Sequence, residues 1–448
     1  MKRRNFLATA ASAASGLIIV PRHVIGGPGY TAPSDVLNIA GIGVGGMGNR
    51  DVRAMTGQNI VALCDVDEDY AAKTIVQYPK ARRYKDFRKM LETQEDIDAV
   101  IIATPDHLHA PISMFALNMG KHVYCEKPLT HTLAEVRKVT RAAREAGVAT
   151  QMGNQGHASE EMRLLREWIA DGAIGDVHEV HAWTTLPGWP QGVERPADNP
   201  PVPETMEWDL WLGPARYRPY HPCYHPDSWR GWIDFGNGGL GDMGCHLFDS
   251  IVWALHVGPP ESVEASSSQF APSREEWGKY KNLETYPRAS LVTFRFPARD
   301  GFPPLKVTWY DGGLLPPRPE ELEPDRQMGT PWGGALYVGT KGTIMTGTHG
   351  ASGIRIIPEE KMQEYERPPK TLPRSIGHHQ EWIQACKGGE PAGSHFDYGG
   401  PLTEIVLLGV IAIRMNQKLY WDTVNSRFTN SEEANQYLDK TYRKGWEV

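Results

Sequence analysis

The chain has 448 residues, 40% hydrophobic and 23% charged, a balance that suits two or three globular domains and excludes an extended disordered chain. Its net charge of −7 argues against a nucleic-acid-binding or anionic-membrane surface. Cys64, Cys125, Cys223, Cys245 and Cys386 form no C-x-x-C pair, so neither a disulfide framework nor a zinc site is suggested and no metal is expected.

The first segment is residues 1–35. Met1-Lys-Arg-Arg-Asn-Phe-Leu7 sets a basic start with paired Arg before an Ala/Ser-rich stretch from Ala8 to Val20. That stretch is too short and too weakly apolar to span a membrane. The layout is that of a signal peptide of the twin-arginine type, which carries folded proteins out of the cytoplasm. The expectation is an exported, periplasmic protein, or a cytoplasmic one where the leader is not used. The Pro/Gly/Ser-containing stretch that follows reads as a linker.

Residues 36–153 read as a dinucleotide-binding domain. Val36-Leu-Asn-Ile-Ala-Gly-Ile-Gly-Val-Gly-Gly-Met-Gly-Asn49 is an apolar strand running into Gly43-x-Gly45-x-x-Gly48, with Gly46 and Met47 inside the turn. Gly41-x-Gly43-x-x-Gly46 also fits, but the later register leaves a full strand, Leu37 to Ile42. The first glycine makes the tight turn, the second lets backbone approach a pyrophosphate, and the third allows close helix–strand packing. A second apolar run, Ile60–Cys64, ends on Asp65, an acid placed for an adenosine ribose. With no Arg directly after it, NAD is favoured over NADP. Helices are expected at Glu68–Gln77, Phe87–Leu91, Ala110–Met119 and Leu133–Ala146. They alternate with strands at Ala99–Ala103, His122–Cys125 and Ala149–Met152, which predicts a parallel sheet with right-handed crossovers.

The rhythm changes over residues 154–448. A helix at Glu160–Ala170 and a strand at Val177–Thr184 lead into a Pro/Trp/Gly/Tyr-rich stretch, 186–236. Strand-like runs recur at Glu261–Ser267, Ser290–Phe296, Lys306–Tyr310, Ala335–Val338, Thr343–Met345 and Gly353–Ile357. Helices reappear at His378–Lys387 and Thr403–Met415. The fold class is an α/β Rossmann domain plus an α+β domain with an open, mostly antiparallel sheet, and the cleft between them is the expected ligand site.

Three segments carry chemistry. Thr104-Pro-Asp-His-Leu-His109 follows a strand end, where Thr104 and Pro105 sit beside the nicotinamide half of a dinucleotide. His107 and His109 read better as packing residues than as a metal pair, because no third ligand is evident. Glu126-Lys127-Pro128 ends the next strand, and the Lys127 ammonium is suited to steadying an alkoxide as hydride leaves. In Gly238-Gly-Leu-Gly-Asp-Met-Gly-Cys-His-Leu-Phe-Asp249, Asp242 and His246 lie i, i+4 on one helical face. His246 is a base for a hydroxyl proton, and Asp242 is placed to orient it or the substrate. Trp229, Trp232, Tyr220, Tyr224 and His225 precede this segment and are candidates for a sugar platform.

These residues together resemble the glucose–fructose oxidoreductase / inositol dehydrogenase / MocA (Gfo/Idh/MocA) family, over nearly all of 36–420. The resemblance rests on Gly43-x-Gly45-x-x-Gly48, Asp65, Ala103-Thr-Pro105, His109, Glu126-Lys-Pro128 and Gly241-Asp-Met-Gly-Cys-His246. It implies bound NAD(P), hydride transfer on a sugar, polyol or glycoside, and a homo-oligomer. It assigns catalysis to Lys127, Asp242 and His246, and cofactor contacts to the glycine turn, Asp65, Thr104, Pro105, His109, Glu126 and Lys127. A related scheme is an NAD-dependent glycosidase that keeps its cofactor tightly bound and works by transient oxidation and elimination. An exported NAD protein favours retention of the cofactor, since free NAD is scarce outside the cytoplasm.

Overall fold

The computed structural model describes residues 35–448 except 270, 272, 277–279 and 300. The twin-arginine-like leader, residues 1–34, lies outside the described residues. Six strands form the first sheet: β1 (Asn38–Ile42), β2 (Asn59–Cys64), β3 (Arg82–Tyr84), β4 (Ala99–Ile102), β5 (His122–Cys125) and β6 (Thr150–Met152). All pairs are parallel, in the order β3-β2-β1-β4-β5-β6. This order reverses direction between β1 and β4, which opens a crevice at the strands' C-terminal ends.

The connecting helices are α1 (Gly46–Ala54), α2 (Glu68–Gln77), α3 (Phe87–Thr93), α4 (Asp106–Asn118) and α5 (Leu133–Ala146). Their starts are chemically specified. Asp67 and Asp86 cap α2 and α3, and Thr132 with Glu135 makes a reciprocal capping box on α5, satisfying N–H groups the helices leave open. Gly147, in the left-handed region, stops α5. α4 begins at Asp106, earlier than read from sequence, because Pro111 is tolerated within its second turn where tertiary packing outweighs the lost hydrogen bond.

The second sheet follows α6 (Glu160–Ala170). Its strands are β7 (Val177–Thr184), β8 (Ser262–Ser267), β9 (Ser290–Phe296), β10 (Leu305–Tyr310), β11 (Gly333–Gly339), β12 (Thr343–Thr346), β13 (Arg355–Ile357), β14 (Lys418–Asp422) and β15 (Arg427–Phe428). The order is β13-β12-β11-β7-β10-β9-β8-β14-β15, antiparallel throughout except for the parallel β7–β10 pair. The remaining helices are α7 (Trp208–Leu212), α8 (Gly238–Leu255), α9 (Glu359–Glu364), α10 (His378–Cys386), α11 (Phe396–Met415) and α12 (Glu432–Asn435). The alternating burial of β9 marks a strand with one packed face.

α11 has the length and hydropathy of a membrane span, but 78% of its apolar window is buried inside the protein, where it packs against α5, α8 and β8. It starts seven residues before the Thr403 expected from sequence and runs through Pro401. The strands β3 and β15 and the helices α7, α9 and α12 were not legible because each is too short to show a period, and β14 was not read either.

The chain crosses between sheets. One face of the first sheet (Ile39, Leu63, Ile101, Tyr124) is covered by Val52 of α1, Ala71 of α2, and Trp382 and Ile383 of α10, which comes from the far end of the sequence. Trp382 is fully buried. Trp382→Ala is expected to cost about 3–5 kcal/mol of unfolding free energy, read as a lowered urea midpoint.

Candidate active site

Everything chemical converges on one cleft of about 440 Å³ at the C-terminal edge of the first sheet. Its floor is the glycine turn. Gly43 has φ +74, and a side chain there would meet the Ala103 carbonyl and Thr104 at 2.9 Å. Gly48 lies against the turn itself: a Cβ would stand 1.9 Å from the Gly43 carbonyl oxygen. α1 therefore starts flush with β1. No side chain caps its N-terminus, so its first N–H groups are left for an anion. The Tyr70 ring lies over Gly45 and Gly46.

At the end of β2, Asp65 lines the cleft. Its Oδ2 accepts from the N–H groups of Val44 (2.7 Å) and Gly45 (3.2 Å), and its Oδ1 from Asp67 N–H (3.0 Å). Burial raises its pKa, opposed by these backbone donors. The acid thus braces the turn, and carboxylate oxygens keep lone pairs for further donors.

Across the cleft, Lys127 Nζ donates to Asp242 Oδ1 and to the Asp242 carbonyl, both at 2.8 Å. Arg230 Nε donates to the same Oδ1 at 3.1 Å. Burial works against ionising Asp242, yet the charges of Lys127 and Arg230 hold its carboxyl well below the usual carboxylate range. Arg230 is itself stacked on Trp229, 4.3 Å from the ring centre. Nearby, Asp106 accepts from Asn237 Nδ2 (3.1 Å), and burial pushes it up to about 7.

One turn beyond Asp242 along α8, His246 also lines the cleft. Its Nδ1 is buried and has no partner among the described residues. Its ring lies 4.2 Å from that of His349, which hangs from the β12–β13 connection with Nδ1 2.8 Å from Thr348 Oγ1. Burial pulls both imidazoles below their ordinary pKa, so both are neutral at pH 7. Of the two roles expected for Asp242, orienting His246 or orienting the substrate, no hydrogen bond to His246 is seen among the described residues, and two cations hold its Oδ1.

The structure brings together Gly43, Gly45, Gly46, Met47, Asp65, Thr104, Pro105, Glu126, Lys127, Asp242 and His246 in this lining. Gly48 and His109 are not part of it. Gly48 is spent on helix–turn packing. His109 is buried, with its ring nitrogens 2.8 Å from the carbonyls of Pro128 and Thr104, tying the end of β4 to the end of β5. His107 faces the carbonyls of Trp211 and Phe235.

Of the five candidates for a sugar platform, only Trp229 and His225 line the cleft. Tyr220, Tyr224 and Trp232 belong instead to an aromatic cluster with Trp208, Trp211 and Phe235. Large aromatic rings gain more by burying each other than by facing water. That cluster stiffens the 186–236 segment, which seals one end of the cleft. Glu207 N–H donates to Val66 O (2.8 Å), and His225 Nε2 pairs with Asp67 Oδ2 at 2.8 Å.

Sequence reasoning missed Arg230, His349, Tyr70 and Trp446, all of which line the cleft. Arg230, His349 and Trp446 sit in no periodic or glycine-marked motif, and Tyr70 lies in the expected helix Glu68–Gln77, whose pattern does not show which of its residues faces the turn.

The description "Oxidoreductase family, NAD-binding Rossmann fold" of the Gfo/Idh/MocA family matches residues 37–154, and its C-terminal alpha/beta domain matches 182–285. Both domains of the chain are thus similar to those of the Gfo/Idh/MocA family. Similar proteins include a 1,5-anhydro-D-fructose reductase of Ensifer adhaerens, 29% identical over 39% of this chain and 42% of the relative. A glycosyl hydrolase family 109 protein of Shewanella pealeana is 30% identical over 40% of this chain and 44% of the relative. The matches thus span less than half the length of these relatives. In fold, the chain is similar to the WlbA dehydrogenase of Bordetella pertussis solved with NADH and UDP-GlcNAcA: TM-score 0.59 at 18% identity, covering 86% of this chain and 99% of that one.

The cleft fits the dinucleotide the family implies. The glycines leave room for close approach, the start of α1 carries no side-chain cap, and Thr104 Oγ1 has no partner among the described residues, so polar capacity remains for a ligand there.

Behind the cleft, His378 accepts from Gln151 Nε2 (3.2 Å) and donates to Met152 O (2.8 Å), and burial pulls it down to about 3. The unfolded chain, with an ordinary histidine pKa near 6.5, takes up this proton first. Stability is therefore lost as pH falls from about 6.5 toward 3, by up to about 1.4 kcal/mol per pH unit. The urea midpoint should fall between pH 6.5 and 5, and His378→Gln should flatten that fall.

Proposed function

We propose that this chain is an NAD-dependent oxidoreductase that moves hydride to or from a hydroxyl-bearing carbon of a sugar, polyol or glycoside. One observation carries the reading: the glycine turn with Asp65, and the Lys127–Asp242–His246 group, share one cleft. When bound, NAD supplies a reversible two-electron acceptor. Gly43, Gly45, Gly46, Met47, Thr104, Pro105 and Glu126 would hold it. Asp65 favours NAD over NADP, because its carboxylate accepts from free ribose hydroxyls and repels a 2′-phosphate.

The protein's own groups handle the proton and the oxygen. Lys127, fixed by Asp242, donates to the substrate oxygen and favours its alkoxide form. His246 is neutral and takes the hydroxyl proton. Trp229 and Arg230 offer an apolar face and donors to a polyhydroxylated ring. The sugar and anhydrosugar names of the relatives support that substrate class.

A second reading has specific support. Glycosyl hydrolase family 109 proteins are among the relatives, and the 186–236 segment is latched to the end of β2 in a way that favours a cofactor retained through many turnovers. In that scheme a transient oxidation acidifies a neighbouring C–H, the leaving group departs, water adds, and no net redox change results.

Assaying pooled sugars and glycosides separates the two: NADH formation marks the dehydrogenase, and aglycone release without net NADH marks the glycosidase. In either case Lys127→Met and His246→Asn are expected to lower turnover at least about 100-fold with cofactor content unchanged. Full turnover in both variants would remove the catalytic assignment. We also propose, from the paired Arg3 and Arg4, that the protein is exported folded. Replacing both by Lys should leave it in the cytoplasmic fraction, and unchanged export would refute this.

A further inference from the structure

Asp65 N–H donates to Tyr84 O at 3.0 Å, so the end of β2 stands beside the end of β3. There the cleft turns apolar. Phe87, Leu108 and Ile112 line it from α3 and α4 of the first domain. Leu210 and Trp211 line it from α7, and Trp446 from the segment after α12. Trp446 is buried, with its ring centre 6.0 Å from that of Phe87. The Arg88 guanidinium lies 4.4 Å from the Trp446 ring centre and is itself held by both oxygens of Asp86. Gly213 leaves the indole its place: a Cβ there would stand 3.6 Å from Trp446 Cζ3.

The segment 438–446 is fastened in two ways. Near its start, Ala134 N–H donates to Leu438 O at 2.9 Å. Lys440 Nζ and the Tyr442 hydroxyl reach Glu135 Oε1 at 2.8 and 3.0 Å. Glu135 is fully buried and also caps α5, so this end is a fixed root. Farther along, Arg443 holds α7. Its Nη1 donates to Asp209 Oδ1 and its Nη2 to the Asp209 carbonyl, both at 2.6 Å, and its N–H donates to Pro214 O at 3.0 Å. The Asp209 side chain keeps 77% exposure, so water and salt screen this ion pair.

An acid placed for the adenosine ribose sets the neighbouring base in the apolar end of the cleft. A flat ring gains there by leaving water and by packing on other rings. We propose that 438–446 is a strap over the adenine end of the cleft: Trp446 packs on the base, Arg443 latches the strap to Asp209 of α7, and the dinucleotide leaves when the latch opens. This rests on the NAD reading and deepens it. The first domain supplies Phe87, Leu108 and Ile112 by itself; α7 and Trp446 add the side chains that enclose the base. The root on Glu135 keeps the strap attached while its far end lifts. Cofactor residence time is thereby set by residues remote from Lys127, Asp242 and His246.

Protein loaded with NADH and mixed with excess ADP-ribose reports release as a loss of nicotinamide fluorescence. Trp446→Ala should speed release about 10-fold, the worth of one base–aromatic contact, and Trp446→Phe should restore most of the delay. Arg443→Ala and Asp209→Asn, both changes at the surface, should each speed release, and the double variant should be no faster than either alone. Added salt should speed release from wild type more than from Arg443→Ala.

Equilibrium titrations with AMP and with NADH locate the contact. Trp446→Ala should weaken both by the same factor, about 10-fold, which places the loss in the adenosine half. Weaker NADH with unchanged AMP would place it elsewhere, and tighter AMP would mean that the indole fills the slot instead of covering a base. Either result, or unchanged release in both Trp446→Ala and Arg443→Ala, would overturn the strap while leaving the NAD reading intact. Wild-type protein that binds neither NADH nor AMP would sink the NAD reading and the strap together.

Discussion

Lys127 Nζ lies 2.8 Å from both the carboxylate and the backbone carbonyl of Asp242, so a single ammonium ties the end of β5 to the first turn of α8. Neither ion is well solvated there: their side chains keep 13% and 14% exposure. An isolated charge so placed is costly, and removing either partner leaves the other stranded. The pair therefore sets the separation of the two halves as well as joining them. Arg230 adds a second cation to the same carboxylate oxygen, while its Nη1 also pairs with Asp227 at 3.6 Å. A cation beside a hydroxyl favours the ionised oxygen, which is the electrostatic condition hydride removal needs.

That condition depends on who does not compete for Asp242. Had the carboxylate bonded His246, the imidazole would be drawn toward its charged form and the ammonium would be free to move. Instead His246 is held neutral by burial and by the nearby Lys127 charge, and its neighbour His349 is neutral as well. Acid and base roles are separated by environment rather than by residue type. The i, i+4 spacing placed Asp242 and His246 on one face correctly, but spacing carries no information about a third residue 12 positions upstream that outbids the histidine.

Much of the scaffold was legible because it is written in local rules. The glycine turn and the uninterrupted apolar run of β4 each act within a few residues. The motif residues at strand ends followed from the parallel topology. Illegible were residues whose roles exist only after folding. Tyr220, Tyr224 and Trp232 have the side chains of a sugar platform, but their neighbours Trp208 and Phe235 claim them for a core. His349 and Trp446 reach the cleft from distant segments without a motif of their own.

The return of α10 to the first sheet has a consequence for biosynthesis. The six parallel strands are complete by Met152, but Trp382 and Ile383, which cover Ile39, Leu63 and Tyr124, emerge more than two hundred residues later. At ribosomal speeds of about 5–20 residues per second, the interval is on the order of 10–50 s. For that time the nascent chain presents an apolar sheet face that only α1 and α2 cover, with the area beneath Trp382 and Ile383 still open. Holdase chaperones have a defined binding patch during this window, and early capture of a nucleotide by the half-built cleft would be disfavoured.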